Sequence, residues 1–212
     1  LNIDPLIVLT ISSVVVLIVA DKRGARSIAG MAKVIASLSF LAFALARDVF
    51  ASAPGSIFFV GLVLSFVGDV ALLSKEKRPF LVGLSAFLLA HVAYSIAIAS
   101  REIDMRMLPY SATMLTVVGA VVLRWLWPHV KSSMRAPVVL YVVAICVMVA
   151  LAGALLGPQA STVANGAILF LISDVFVARE RFVKPGGINR VVGLPLYYAG
   201  QIALILGMSP RV

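Results

Sequence analysis

The stretch LSFVGDVALLSKEKRPF (Leu64–Phe80) decides the fold. Its first part is apolar and its second part is a basic loop. One carboxylate, Asp69, sits inside the apolar part, about a turn and a half before the first lysine, Lys75. A helix that leaves apolar surroundings through a positively charged loop reads as a membrane span with a cytoplasmic end. The same pattern runs through the chain. Of 212 residues, 62% are hydrophobic and 13% charged, and the mean hydropathy is +1.09. A soluble domain of this length needs far more polar surface. The short alternating strands of a membrane β-barrel do not occur. We expect an all-α, multi-pass integral membrane protein, a single domain over residues 1–212, in a cell membrane (the inner one if bacterial).

Eight transmembrane helices fit the pattern, at about 3–20, 28–46, 57–74, 80–99, 108–126, 136–156, 162–178 and 192–208. Breaks carry proline, glycine or charge, as in ADKRGARS, ASAPGS, WPHVKSSMRAP, LLGPQAS and RERFVKPGGINR. The first span follows Asp4 rather than a basic segment, which is not the pattern of a cleaved signal. The lone cysteine, Cys146, is mid-span and forms no internal disulfide. Basic residues gather in the odd-numbered loops: Lys22, Arg23 and Arg26, then Lys75, Lys77 and Arg78, then Arg124, Lys131 and Arg135, then Arg179, Arg181, Lys184 and Arg190. The other side has Arg47, Arg101, Arg106 and Arg211. This asymmetry puts the odd loops in the cytoplasm and both termini outside. The net charge of +9 therefore reflects topology, and no nucleic-acid partner is expected.

An internal repeat is visible. GLVLSFVGDVALLSKEKRPF (from Gly61) aligns with GAILFLISDVFVARERFVKP (from Gly166), with Asp69 over Asp174. The offset is four spans, so direction is preserved and the repeat would be a parallel 4+4. Asp69 and Asp174 are also the only acidic residues inside spans. Each comes just before a basic cluster, so both lie roughly 8 Å below the same interface at ~1.5 Å per residue. Such carboxylates face a bundle interior or a wet cavity.

Other polar groups lie at related depths. Lys33, inside span 2, would snorkel to the interface, lose its charge or seek an anion, which Asp69, Asp174 or a lipid phosphate could supply. His91 and Tyr94 share a face of span 4. Span 8 pairs Tyr197 and Tyr198 with Gln201, span 3 adds Ser65 one turn before Asp69, and span 7 adds Ser173 and Asn165. Nearly all of these fall on spans 2, 3, 4, 7 and 8, while spans 1, 5 and 6 read as almost purely apolar. The expected picture is one polar cavity open to the cytoplasmic leaflet, lined by five helices and braced by three. With only His91 and His129 available, no metal site is expected, and no G-x-S-x-G element marks a serine hydrolase. No cofactor is implied.

In this order, GLVLSFVGDVALL, FLVGLSAFLLAHVAY, GAILFLISDVFVARERF and LYYAGQIALIL resemble the YhhN family of membrane lysoplasmalogenases, from about Lys33 to Gln201. Lys33 matches that family's early lysine, but Val34 replaces the proline that usually follows. The resemblance implies an eight-span hydrolase acting on a lysophospholipid. It would cleave the vinyl ether of a lysoplasmalogen into a fatty aldehyde and a glycerophospho-ethanolamine or -choline. That reaction needs an acid to protonate carbon and an anion to steady the resulting oxocarbenium ion and activate water. Two carboxylates in unlike environments can divide those roles. Asp69 and Asp174 are the expected pair, in either order. His91, Tyr94 and Gln201 are expected to position water or the ether oxygen, and Lys33 or loop arginines to hold phosphate. The rival reading is a proton-coupled transporter of a small or lipid-like substrate, suggested by the repeat and the intramembrane carboxylates.

Overall fold

The computed structural model describes residues 4–74 and 76–210. Of the basic residues used above, Lys75 and Arg211 lie outside this range, as do the first residues of the chain. Eight helices are long and apolar enough to cross a membrane. They are α1 (Pro5–Lys22), α2 (Arg26–Ala46), α3 (Ala53–Ala71), α4 (Lys77–Ala99), α5 (Leu108–Leu126), α6 (Ser132–Gly153), α7 (Ala160–Ala178) and α8 (Gly187–Met208). No strand occurs among the described residues.

Helix boundaries follow local chemistry. Asp4 caps α1, its Oδ1 accepting from the Leu6 N–H at 2.8 Å, and Pro5 fits the first turn, where its missing N–H costs nothing. Gly24, at φ 72°, lets the chain reverse into α2 within a short turn. The segment ASAPGS, read above as a break, instead starts α3. Ser52 Oγ accepts from the Gly55 N–H at 3.1 Å, and Pro54 sits in the first turn. Helix α7 runs into a wider π-type turn over Arg179–Val183 before α8 begins at Gly187, earlier than expected.

The helices form four hairpins, α1/α2, α3/α4, α5/α6 and α7/α8, packed around a common centre, with α4 against α6 and α1 against α8. Phe40, Phe58, Tyr94, Phe170 and Leu204 are fully buried there. Val15, Val60, Leu89, Val121 and Leu140 are exposed on the outer surface, as residues facing lipid tails would be. The basic loops share one face. There Arg190 of α8 pairs with both Asp21 of α1 and Glu180 of the π-type turn. On the opposite face Arg101 donates to the Gly207 carbonyl at 2.8 Å, so the end of α4 is tied to the end of α8.

The hairpins α3/α4 and α7/α8 cross in matching ways. A Cβ on Gly83 would meet the Gly68 carbonyl at 3.3 Å, and one on Gly193 would meet the Ser173 carbonyl at 3.7 Å. Gly68 and Ser173 are the residues just before the two aspartates. A Cβ on Gly61 would meet Ala90 and Tyr94, and one on Gly166 would meet Gly200 and Leu204. Positions on α3 map onto α7 at an offset of 105 residues and positions on α4 onto α8 at 110, so the two hairpins correspond helix by helix, with five extra residues between α7 and α8.

Candidate functional site

Asp69 lies two residues from the end of α3, and its side chain is 4% accessible. Lys33 Nζ of α2 lies 3.1 Å from its Oδ1. Ser37 Oγ, one turn further along α2, donates to Oδ2 at 2.8 Å, and Tyr197 of α8 donates to the same oxygen at 2.7 Å. Tyr198 OH supports this arrangement, 3.0 Å from Ser37 Oγ and bonded to the Lys33 carbonyl at 3.3 Å. Three donors, one of them cationic, therefore surround this carboxylate, which is how a buried anion is stabilised.

Behind Tyr197 runs a line of buried hydrogen bonds. Gln201 Nε2 donates to Tyr197 OH at 3.2 Å, and Tyr94 OH donates to Gln201 Oε1 at 3.0 Å. Tyr94 OH also lies 3.0 Å from Ser65 Oγ. The carboxylate fixes the sense of the line. Tyr197 spends its proton on Asp69 and must accept from the Gln201 amide, so Gln201 presents its oxygen to Tyr94. Tyr94, having donated, accepts from Ser65. Each donor points toward Asp69.

Asp174 on α7 has different neighbours. Tyr141 of α6 donates to its Oδ2 at 2.7 Å. His91 Nε2 of α4 lies 3.7 Å from the same oxygen, beyond hydrogen-bond length. Both His91 ring nitrogens are buried without a hydrogen-bond partner among the described residues. The ring is held instead by edge contacts with Tyr141 and Phe170, at centroid distances of 5.1 and 4.8 Å. Phe170 also packs edge-on against Tyr197 at 5.2 Å, so one buried ring touches both His91, beside Asp174, and Tyr197, which donates to Asp69.

A cavity of about 590 Å³ opens on the basic face and reaches both carboxylates. Lys33, Asp69, Ser173, Asp174 and Tyr197 line it; Asp21, Arg26, Arg181 and Arg190 stand at its mouth. Most of the remaining wall is apolar. Its volume is in the ordinary range for small-molecule sites.

Several expectations change. His91, Tyr94 and Gln201 lie behind the wall, in contact with other side chains and off the cavity lining. Ser65 and Tyr198 are likewise second in line. Lys33 does face the cavity, but its ammonium is engaged by Asp69 rather than held ready for phosphate. Asn165 is exposed on α7, far from the cytoplasmic end and off the cavity lining. Helices α1, α5 and α6 do more than brace. Leu17, Val122 and Ile145 line the cavity, and Tyr141 of α6 supplies the hydrogen bond to Asp174. Tyr141 and Ser37 are the contacts that the sequence reading missed. No cluster of metal-ligating side chains occurs among the described residues.

The profile of the YhhN family matches residues 28–208. Over 155 residues the chain is 27% identical to a protein of Bos taurus named lysoplasmalogenase TMEM86A, covering 70% of this chain and 63% of that one. Over 150 residues it is 32% identical to a protein of Mycobacterium tuberculosis named lysoplasmalogenase, covering 68% and 56%. A protein of Escherichia coli named uncharacterized membrane protein YhhN is 28% identical over 154 residues, covering 68% and 70%. The match thus spans less than two thirds of the length of either lysoplasmalogenase. No solved structure matches the chain.

Proposed function

We propose, since this chain belongs to the YhhN family, that it is a lysoplasmalogenase-type hydrolase that cleaves the vinyl ether of a single-chain ether phospholipid. The observation that carries this reading is the pair of aspartates with unlike partners on one cavity. The names of the bovine and mycobacterial relatives support the substrate class.

In this reading Asp174 is the acid and Asp69 the anion. Asp69 has three donors, one of them cationic, which hold it as the resting anion. Asp174 has one donor, on Oδ2, and a side chain still 14% accessible, which leaves Oδ1 to carry a proton into the cavity. The lysolipid enters with its head group among Arg26, Arg181 and Arg190, and its hydrocarbon along the apolar wall. Asp174 gives its proton to the vinyl carbon remote from oxygen, and the π electrons form the new C–H bond. The oxocarbenium ion that results is steadied by the Asp69 carboxylate. Water adds to the cationic carbon and passes a proton to Asp69. The hemiacetal then collapses. Its hydroxyl proton returns to Asp174, the C–O bond to glycerol breaks, and the glyceryl oxygen takes the proton held by Asp69. The products are a fatty aldehyde and a glycerophospho-ethanolamine or -choline, and both carboxyls regain their starting states.

The test is aldehyde release by purified protein in detergent, with vinyl ether and saturated ether lysolipids side by side and no ion gradient. The expected result is consumption of the vinyl ether alone. Equal inertness toward both removes the proposal. Uptake into liposomes without product would favour the transporter reading instead.

A further inference from the structure

Tyr141 comes from α6, a helix that reads as plain apolar scaffold, yet its hydroxyl makes the one hydrogen bond that Asp174 receives from the described residues. Its ring closes the cavity wall between Val138 and Val142 and stands edge-on to His91. The hydroxyl has no other hydrogen-bond partner among the described residues. Its geometry distinguishes the two carboxyl oxygens. Oδ2 accepts from Tyr141, with His91 beyond it at 3.7 Å, while Oδ1 has no hydrogen-bond partner among the described residues. A protonated carboxyl carries its hydrogen on one oxygen and keeps the other as a good acceptor. The groups facing this carboxyl are Tyr141 from α6 and His91 from α4. Across the cavity stand Asp69, Lys33 and Tyr197.

We propose that Tyr141 is a positioning residue that holds Asp174 Oδ2 as the acceptor and so presents Oδ1–H to the substrate. This rests on the acid role given to Asp174 above. Tyr141 itself transfers no proton. Its hydroxyl anchors the carboxyl plane, and without that anchor the acid rotates and points its proton correctly only part of the time.

The experiment has one arm that does not depend on activity. In the infrared spectrum of the purified protein, a protonated carboxylic C=O stretch is expected in the wild type and absent from Asp174→Asn. In Tyr141→Phe it moves to higher wavenumber, because the carbonyl loses its donor. The second arm is kinetic: Tyr141→Phe should lower kcat about 10-fold with KM little changed, since the loss falls on the transition state rather than on binding. Thermal unfolding in detergent checks that the variant is folded. A purely structural tyrosine would leave the carbonyl band in place. An unmoved band, or no band in the wild type, overturns the proposal whatever the activity. A wild type inert toward vinyl ethers, but with a band that moves as expected, counts against the reaction proposed above and leaves the Tyr141 assignment standing.

Discussion

At Asp69 the carboxylate is met by a lysine, a serine and a tyrosine; at Asp174 it is met by one tyrosine, with a histidine just out of reach. The frame around the two is the same. On the register set by Gly83 and Gly193, Phe87 of α4 corresponds to Tyr197 of α8, and His91 corresponds to Gln201. The hydroxyl that Tyr197 gives Asp69 has no counterpart, because a phenylalanine stands in its place. Helix α2 offers Lys33 and Ser37, whereas α6 offers Val138 and Val142 with Tyr141 between them. A repeated scaffold thus carries two carboxyls to one cavity, and a few side-chain differences give them opposite surroundings. The α3/α4 and α7/α8 hairpins supply position, and the differences between α8 and α4 and between α2 and α6 supply chemistry.

The largest effect should come from separating the two aspartates by mutation. Asp174→Asn should lower aldehyde release about 1,000-fold, near 4 kcal/mol of barrier, with thermal stability little changed. Asp69→Asn should lower both activity and melting temperature, because Lys33 loses its counter-ion. Equal stability losses in the two variants would break the contrast. Next in size, Lys33→Met should destabilise the protein by about 3 kcal/mol by leaving Asp69 without a cation, and Lys33→Met with Asp69→Asn should recover part of that. Unfolding of the three variants in detergent checks it. Gly166→Ala should cost about 2 kcal/mol, since its Cβ would meet the Leu204 backbone nitrogen at 2.8 Å and backbone cannot step aside. Gly61→Ala meets chiefly the Tyr94 ring, at 2.4 Å, with the Ala90 carbonyl further off at 3.2 Å, so its cost should appear as a displaced Tyr94 and a weaker hydrogen-bond line. The smallest effect belongs to Arg190→Gln at the mouth. That side chain is 39% accessible, so water screens its ion pairs and the stability change should stay below about 1 kcal/mol.

The two aspartates were legible because a charge within an apolar run has few explanations. Lys33 was legible for the same reason, though not which aspartate it would choose. The serines show where sequence runs out. Ser37 and Ser39 are two residues apart on α2; Ser39 bonds back to the Ile35 carbonyl at 2.7 Å, and Ser37 reaches Asp69. A helical serine can do either, and only the position of α3 decides. Tyr141 was hidden because a tyrosine is at home in an apolar helix and carries no charge to betray it. Asn165 misled in the opposite direction. It lies within a span, and its exposed position on α7 depends on how that helix is turned. The eight helices were legible from hydropathy, but not the start of α3, where Pro54 reads as a break until Ser52 is seen to cap it.

The line from Ser65 to Asp69 has a further consequence. An amide in the middle of a hydrogen-bond chain passes polarisation but not protons, because Gln201 cannot hand on a hydrogen without changing its bonding. Asp69 is therefore insulated along this line. The open route for a proton to this carboxylate is the cavity that it lines. A molecule in the cavity would close this route, so proton exchange at Asp69 is tied to access through the cavity mouth.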